Sequence, residues 1–512
     1  MHSNRVLSSK RLLSGLITTI VVTTACSTTG STPTGSEPPV RGGTLTFARS
    51  QDTFTWDIPA ILDDPSIFTS LQVNDRLVKL APDLKSVEPE LATSWQIAND
   101  GLSATFKIRP GVKFSDGTPL TMDDITFSLT RDFDPKGNWG FLFTGVKGVA
   151  KVDESTVRID LSAPFSPLLL ALSTFAAGIV SKANAQKWGD KIGEHPLGTG
   201  AFFLEKWTRG SQIVLSRNPN YWQSGKPYLD KIIFNDIGDD NARVLQLQAG
   251  AADVIDAVPT AQVNSLSTGS TRLVRVDGTA LRWLLMNLKK KPFNEQAVRC
   301  AMAYSLDRQS IAKLADQGAS TPAKSILPTT TAYYSDANAI TFDINKAKQL
   351  LSQSSVPNGF TFDTYVAAGD SGANATAQVW ADALKGLNVH VNIRQIESTT
   401  LQQLQNNGNF TTAIKYWTND TPDPDEQWGA DATLGIGWND PRMDAEIAAA
   451  RAEPDPSKRD QMYAALQQEM NTKCYIGYIV DLPRLYATTT KVHGFMPNAQ
   501  GKYGFENVWK SA

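Results

Sequence analysis

Strand and helix patterns alternate between residues 361 and 416, and this alternation limits the possible fold more than any other feature of the chain. The strand-like segments are Thr361–Val366, Val389–Ile396 and Thr411–Tyr416, and helical segments at Asn374–Leu387 and Thr399–Asn406 separate them. Strand–helix–strand order of this kind predicts a parallel sheet with right-handed crossovers. The second half of the chain is therefore predicted to be α/β.

The first half of the chain consists mostly of predicted strands and turns. Its strand-like segments are Thr44–Ala48, Ala104–Arg109, Thr156–Leu161, Gln212–Arg217, Lys231–Asn235 and Leu281–Asn287. The character of the sequence changes near residue 285 and again near residue 481. We therefore expect two lobes, with the second inserted into the first.

Length and composition exclude several classes of protein. The chain has 512 residues, of which 41% are hydrophobic and 20% charged, and these values are ordinary for a globular protein of two or three domains. The formal net charge is −2 and no run of basic residues has the size of a nucleic-acid surface, so we predict no nucleic-acid partner.

The segment Glu88–Arg131 contains clear local signals for a strand followed by a helix. Ala104–Arg109 alternates like a half-buried strand, and Thr121 with Asp124 three residues later forms a capping pair that opens a helix. Asp123 and Asp124 are also close enough to act as an acid/base pair. We favour the capping interpretation, because carboxylates are common at a helix N-terminus.

The residues of this segment resemble the signature of the peptide/nickel type of extracellular solute-binding proteins, the receptors of ABC importers. The matching phrases are Pro89–Trp95, Ile108–Asp124 and Ser128–Arg131. Later blocks resemble further parts of the same family, at Pro196–Asp256, Met286–Arg308 and Lys458–Glu469. The resemblance extends from about Thr44 to the C-terminus.

The resemblance implies an α/β, two-lobed periplasmic-binding-protein-like fold, of the class with an extra subdomain, with the ligand cleft between the lobes. We expect lobe I at 41–284, with the extra subdomain at about 85–200. Lobe II is expected at 285–481, and a C-terminal return to lobe I at 482–512.

The N-terminus has the pattern of a secretory signal peptide, expected at 1–25. Arg5, Lys10 and Arg11 precede an apolar stretch, Leu12–Val22, that is shorter than the roughly 20 residues of a spanning helix. Cys26 then resembles the cysteine of a bacterial lipobox, and residues 26–40 are polar and typical of a flexible tether. We expect lipidation of Cys26, with simple secretion as the alternative. The protein would be extracytoplasmic, anchored to the outer face of the bacterial cytoplasmic membrane, or periplasmic.

No catalytic or metal-binding pattern is found in the sequence. The four histidines, His2, His195, His390 and His493, include no pair with metal-ligand spacing. No nucleophile elbow, P-loop or dinucleotide-binding loop is present. We therefore predict no cofactor, no metal site and no enzymatic activity. A secreted hydrolase with this fold would need a nucleophile–base pair, and a structural or signalling lipoprotein would show no ligand-induced closure.

The two cysteines beyond the tether, Cys300 and Cys474, look like small buried apolar residues. In an exported protein they could pair as a disulfide or remain free thiols. The sequence leaves both alternatives open.

A ligand site is expected after strand Thr411–Tyr416, because ligands bind beyond the carboxyl ends of parallel strands. The resembled dipeptide-binding proteins carry an aspartate behind a tryptophan in this loop, and that aspartate pairs with the ligand's ammonium. Asp420 behind Trp417 occupies this place. Asp423 and Asp425 are better explained as caps of the next helix.

Aromatic residues are the expected wall of the cleft. The candidates are Phe54, Trp56, Trp139, Phe141, Tyr416, Trp417, Trp428 and Trp438. The run Lys289–Lys291 is interpreted as a solvated face, so the sequence identifies no cation for a ligand carboxylate.

We expect a receptor that closes on short peptides and delivers them to the permease and ATPase of an ABC importer. A nickel chelate, an oligosaccharide or an opine-like solute is the alternative.

Overall fold

A computed structural model of the protein describes residues 38–433 and 435–511. Every helix and strand of the described residues belongs to one compact unit, residues 40–512, which is called the second unit below because the chain divides at residue 39. The expected signal peptide, Cys26 and nearly all of the tether lie outside the described residues. Within the described ranges, no helix combines the length and hydropathy needed to cross a bilayer.

One large mixed sheet extends through the second unit. Its strands are β1 (Thr44–Arg49), β8 (Phe202–Thr208), β9 (Gln212–Arg217), β10 (Lys231–Asp236), β11 (Val254–Ile255), β12 (Thr271–Met286), β13 (Thr321–Pro322), β14 (Thr361–Ala367), β15 (His390–Ile396), β16 (Thr412–Thr418) and β17 (Ile476–Thr489). The spatial order is β15-β14-β16-β12-β17-β11-β1-β10-β9-β8, with β13 paired to β17.

Smaller sheets complete the β structure. They are formed by β2 (Val78–Leu80) with β3 (Val87–Pro89), by β4 (Ala92–Ile97), β5 (Ser103–Ile108), β6 (Val146–Asp153) and β7 (Thr156–Leu161), and by β18 (Val492–His493) with β19 (Trp509–Lys510). The order of the four-stranded sheet is β4-β5-β7-β6.

The helices are distributed along the whole second unit. They are α1 (Asp64–Val73), α2 (Met122–Asp132), α3 (Leu168–Leu172), α4 (Lys182–Trp188), α5 (Asp240–Gln248), α6 (Gln296–Tyr304), α7 (Arg308–Leu314), α8 (Ile344–Ser352), α9 (Ser371–Leu384), α10 (Ser398–Asn406), α11 (Pro424–Thr433), α12 (Pro441–Ala452) and α13 (Pro456–Lys473).

The predicted parallel sheet of the second half is confirmed. β14 pairs in parallel with β15 and with β16, and α9 and α10 lie in the connections between these strands. The predicted capping pair is also confirmed. The hydroxyl of Thr121 accepts the N–H of Asp124, and the Asp124 carboxylate accepts the N–H of Thr121, so a capping box opens α2.

The buried apolar residues fall into separate clusters. The N-terminal core gathers residues between Leu45 and Val254 together with residues from Tyr486 to Val508. The central core gathers residues between Leu281 and Val480, in two clusters. The chain leaves the N-terminal core along β12 and returns to it along β17, and these two strands pair with each other.

Cys300 of α6 and Cys474 form a disulfide, with their Cα atoms 5.1 Å apart. Cys474 lies between α13 and β17 and belongs to neither element. It caps the C-terminus of α13 with a left-handed backbone (φ 52°), and β17 begins two residues later at Ile476. The disulfide fastens the end of α13 to α6.

Candidate functional site

Asp420 lies two residues beyond the end of β16, where the central core faces the C-terminal segment of the N-terminal core. Its carboxylate is only 12% exposed and forms an ion pair with Lys502, whose Nζ lies 2.6 Å from Oδ1. The same ammonium also donates to the Asp420 carbonyl oxygen at 3.0 Å. Lys502 is 9% exposed and is absent from the residues predicted from the sequence. The two residues are 82 positions apart, so no local pattern connects them.

Glu426 of α11 holds the loop around Asp420. Its two carboxylate oxygens accept the N–H groups of Asp420 at 2.9 Å and of Thr421 at 2.7 Å. Burial, with a smaller contribution from the charge of Asp420, raises the pKa of the Glu426 carboxyl well above its usual value. Burial also raises the pKa of Asp420, and the charge of Lys502 opposes this rise. The largely buried carboxyl group of Asp420 and the buried one of Glu426 therefore lie close to Lys502.

The other two acids of the loop have structural partners. Asp423 accepts hydrogen bonds from both terminal nitrogens of Arg459, at 2.7 and 2.8 Å, and from the N–H of Asp425 at the start of α11. The carboxylate of Asp425 lies 2.6 Å from Nε of Arg451. Asp423 therefore caps the next helix, as expected, whereas Asp425 is the second residue of α11 and pairs with Arg451 of α12 instead of capping.

A second ion pair lies beside the first. Arg484 of β17 contacts Asp64, the first residue of α1, at 2.8 Å, and donates to the hydroxyl of Thr418 at 3.3 Å. Asp64 and Arg484 are also the next charges, after Lys502, that act on Asp420. Nε of Arg484 is buried and has no hydrogen-bond partner among the described residues. Four charged side chains, Asp64, Asp420, Arg484 and Lys502, thus form one group, called the charged cluster below.

Gly501 allows the charged cluster to form. Its backbone has φ +76°, which residues with a Cβ rarely adopt. A Cβ at this position would lie 3.0 Å from Cγ of Arg484 and 3.1 Å from the Tyr486 hydroxyl oxygen. Glycine therefore lets the C-terminal segment approach Arg484 closely, and this approach brings Lys502 to Asp420.

Two of the predicted aromatic residues, Trp139 and Phe141, lie close to the charged cluster. The ring of Phe175 is 5.3 Å from Nζ of Lys502, and Trp139 packs edge-on against Phe175 at 4.7 Å. Trp139 also contacts Phe141, with ring centroids 5.8 Å apart, and its indole N–H donates to the Ile61 carbonyl at 2.7 Å. Phe141 lines a small cavity next to the loop that holds Asp420.

The predicted residues of β16 have different environments. Tyr416 is 53% exposed and lies opposite Arg282 of β12. Trp417 is partly buried, and its indole N–H donates to the side chain of Asn419 at 2.9 Å. Tyr416 therefore offers an open aromatic surface two residues before Thr418, whereas Trp417 supports the loop.

The remaining predicted residues have distinct places. Phe54 is 70% exposed, and its N–H donates to the hydroxyl of Ser66 in α1. Trp56 and Trp428 are buried in the N-terminal and central cores. Trp438 packs against Tyr475 and lines a groove of about 490 Å³ that also contains Asn287. Asn287 follows the end of β12 that pairs with the start of β16, about 20 Å along the strand from Thr418 at roughly 3.3 Å per residue.

A larger groove, of about 710 Å³, lies apart from the charged cluster. Its walls come from residues 116–209, including Glu194, His195 and Arg209, and it contains no residue of the charged cluster. No group of three or more His, Cys, Asp or Glu in residues 38–433 and 435–511 has the arrangement of a metal site.

Comparison with known proteins identifies the family. Residues 86–433 match the model of the bacterial extracellular solute-binding proteins, family 5, middle region. This chain belongs to that family. The glutathione-binding protein GsiB of Escherichia coli O1:K1 / APEC is 28% identical over 395 residues, which cover 74% of this chain and 77% of GsiB.

Solved structures have the same architecture. AgaA from A. tumefaciens R10, in complex with agropinic acid, superposes with a TM-score of 0.80 at 28% identity over 92% of this chain and 99% of AgaA. DppA from Helicobacter pylori, in complex with the peptide STSA, superposes with a TM-score of 0.81 at 24% identity over 92% of this chain and 99% of DppA. The fold is therefore the two-lobed periplasmic-binding-protein fold that the sequence predicts.

Membership of the family also gives the general function. Family 5 proteins are extracellular solute-binding proteins that serve ABC importers, and the relatives are binding proteins and not enzymes. The charged cluster lies where the chain passes between its two cores, and clefts between lobes are the usual ligand sites of such proteins.

Proposed function

We propose that this protein captures short peptides between its two lobes and presents them to the permease of an ABC importer. The observation that carries the proposal is the position of Asp420, a carboxylate that is 12% exposed and lies just beyond the carboxyl end of a parallel strand. Charged residues of the opposite core lie against it, and the aromatic residues Trp139, Phe141 and Tyr416 lie nearby.

Asp420 is proposed as the group that binds the peptide's ammonium. A carboxylate in a closed, largely dry cleft is weakly screened, so an ammonium placed there is bound strongly. Lobe closure would complete the site, because Asp420 follows a strand of the central core whereas Lys502 belongs to the C-terminal return. Closure of this kind is a ligand-driven shift between an open and a closed state.

Native mass spectrometry of the purified protein tests the peptide assignment, because the mass of a co-purified solute identifies its chemical class.

The test of the site compares the affinities of Asp420→Asn and Asp425→Asn for the solute so identified. Asp420→Asn should weaken binding by about two to four decades, since removal of one partner of a buried pair costs roughly 3–5 kcal/mol. Asp425→Asn should bind as the wild type does, because its carboxylate is held by Arg451.

If Asp420→Asn binds the identified solute as tightly as the wild type, the proposal that Asp420 binds the ammonium of the solute is wrong. Thermal unfolding of both variants is the control for folding, since Asp420→Asn also removes the partner of Lys502.

An opine-like solute is the second candidate. The observation that favours it is the ion pair itself, because Lys502 already occupies one oxygen of Asp420 and a solute without an ammonium would leave that pair intact. AgaA, which is 28% identical to this chain, is solved in complex with agropinic acid. N-acetylated peptides separate the two candidates, because acetylation removes the ammonium. Binding that survives acetylation supports the second candidate.

Anchoring through Cys26 is proposed on the pattern of the N-terminal sequence. Cys26→Ser should remain unprocessed or appear in the medium, whereas the wild type should carry a diacylglyceryl group and sediment with membranes. A wild-type protein found only in the medium, with an unmodified N-terminus, contradicts this proposal.

A further inference from the structure

The groove that contains Trp438, called the Trp438 groove below, lies where β12 ends and β16 begins. Its volume of about 490 Å³ is within the range of about 300–1,000 Å³ that is usual for small-molecule sites. Lys289 and Lys290 follow β12, and residues 406–409 lie before β16. Because β12 and β16 pair over about 20 Å, the groove is well separated from the charged cluster at their other end.

Asn287 holds the walls of the Trp438 groove together. Its side chain donates to the Gly408 carbonyl at 3.0 Å and accepts the N–H of Lys289 at 3.1 Å. The N–H of Leu288 donates to the Ile436 carbonyl at 2.7 Å. Hydrogen bonds thus fix three segments of the chain around one concave surface.

Gly437 allows the stem of Lys289 to lie against the groove wall. The backbone of Gly437 has φ +80°, and a Cβ there would lie 2.8 Å from Cγ of Lys289, closer than real Cβ atoms approach. The sequence interpretation of Lys289–Lys291 as a solvated face therefore omits a contact. Lys289 and Lys290 both line the groove.

The charge of the Trp438 groove is positive. No carboxylate in residues 38–433 and 435–511 forms an ion pair with Lys289 or Lys290. None of the described residues that line the groove is acidic. The adjoining acid, Asp444, accepts the indole N–H of Trp438 at 2.8 Å. Two neighbouring ammonium groups without a counter-charge attract anions.

The rest of the wall has the chemistry of a sugar site. Trp438 packs against Tyr475 with ring centroids 4.8 Å apart, and Asp444 uses its N–H, so the indole contributes an apolar ring. Further carboxamides line the groove and are exposed, on Asn406, Asn407 and Asn409. A carboxamide both donates and accepts hydrogen bonds, as the hydroxyl groups of a sugar do.

We propose that the Trp438 groove is a second binding site, for a sugar chain that carries acidic groups. The two lysines bind the acidic groups, the carboxamides bind the hydroxyl groups, and Trp438 packs against a sugar ring. An inorganic anion would use the lysines alone, and a neutral sugar would use only the carboxamides and the ring. This inference does not depend on the peptide assignment, because it uses no residue of the charged cluster.

The test compares three probes by calorimetry, namely trigalacturonic acid, its methyl ester and inorganic phosphate. The wild type should bind the acid about fivefold more tightly than the ester at low salt, as expected for two exposed charged contacts. This ratio should approach one at 1 M salt, where the Debye length is about 3 Å. Phosphate should bind more weakly than the acid, because it makes no contact with the carboxamides or the ring.

Variants of the full chain test which residues carry the binding. Lys289→Gln/Lys290→Gln should lower the affinity for the acid to that for the ester. Lys346→Gln/Lys348→Gln is the matched control, because it removes the same charge from two exposed lysines of α8, and it should keep the preference. Asn407→Ala should weaken the binding of acid and ester alike. Thermal unfolding of each variant checks that it is folded.

The outcomes separate this inference from the proposed function. Equal binding of acid and ester at low salt, or no binding of the acid, overturns the inference. Phosphate that binds as tightly as the acid shows an anion site without sugar contacts and also overturns it. Asp420→Asn should bind the acid as the wild type does, and a loss there would place the sugar in the cleft instead. If the acid binds as expected while no peptide co-purifies or binds, the proposed function fails and the inference stands.

Discussion

At the scale of single residues, the acids of the loop after β16 divide into two groups. Asp423 is buried with Arg459, which lies in α13 of the same core, and both of its oxygens are used. Asp420 is paired with a lysine that belongs to the other core. A buried pair within one core stabilises that core, whereas a pair between two cores depends on how they approach each other.

Asp423→Asn should therefore destabilise the protein without changing its preference for solutes. The substitution leaves the Arg459 guanidinium buried without its counter-charge, which costs about 3–5 kcal/mol in the free energy of unfolding. Urea unfolding measures this change. Asp382→Asn is the control, because the pair of Asp382 with Lys385 is exposed and should contribute little. A loss in Asp423→Asn no larger than that of the control would show that Arg459 finds other acceptors.

The free energy of unfolding is expected to depend on pH through Asp481 of β17. Burial raises its pKa from 3.8 to about 7, and no basic group is among the charges that act on it. Because the folded pKa lies above the unfolded one, this group's contribution to stability is fully present below the unfolded value of 3.8 and is lost as the pH rises through about 7. At about 1.36 kcal/mol per pH unit, the shift limits the change to about 4 kcal/mol.

Asp481→Asn should remove this contribution, because asparagine does not ionise. The stability of the variant relative to the wild type should therefore increase as the pH is raised from about 5 to about 8. Urea unfolding of both proteins across this range gives a difference profile. Glu90 and Asp256, whose pKa values burial raises to about 7 and about 6, titrate in both proteins and cancel in the difference. A flat difference profile would show that Asp481 is solvated in the folded protein.

At the scale of elements, the disulfide connects α6 to the end of α13 across 174 positions. Its removal in Cys300→Ser/Cys474→Ser should lower the free energy of unfolding by about 2–5 kcal/mol, mainly because the unfolded chain becomes less constrained. The measurement is the unfolding midpoint of both proteins with and without a reducing agent. Reduction should lower the midpoint of the wild type only. A wild type that is insensitive to complete reduction would contradict the prediction.

Several elements can be predicted from the sequence because their signals are local. α12 (Pro441–Ala452) begins with a proline behind the Asp440 cap, a pattern that is visible in the sequence. α13 begins in the same way, at Pro456 behind Asp455. The predicted and observed strands of the parallel sheet agree to within two residues at their ends. Caps, prolines and hydrophobic periodicity act over a few residues, so a single sequence reveals them.

The crossing strands and the cations of the site cannot be predicted in the same way. β12 begins at Thr271 and not at the expected Leu281, because its first half is held by pairing with the end of β17 and not by a local apolar pattern. Lys502 reaches Asp420 only through the turn at Gly501 and the return of the chain along β17. Such contacts depend on tertiary pairing, which leaves no local signal in one sequence.

At the scale of the whole molecule, β12 and β17 carry the chain between the two cores, and their pairing changes register on the way. Register shifts lie between Val276 and Ala280 and between Arg282 and Trp283. Contacts away from these strands also join the two parts of the chain. The hydroxyl of Ser166 donates to the Glu453 carbonyl at 2.7 Å, and Lys502 contacts Asp420. We expect the hinge at these breaks in the ladder, where the polar contacts can separate.

We therefore expect binding of the identified solute to have two effects at once: the lobes close and the folded protein becomes more stable. A solute that binds only the native state raises the free energy of unfolding by about 2.7 kcal/mol at a concentration one hundred times Kd. Unfolding and refolding first frees the protein of co-purified solute. Solute added back should then decrease the radius of gyration of the protein in X-ray scattering and raise its melting temperature. Asp425→Asn should show both effects, whereas Asp420→Asn should need a much higher concentration for either. Scattering curves that superimpose at saturating solute, while the melting temperature rises, would show binding without closure and would contradict the hinge.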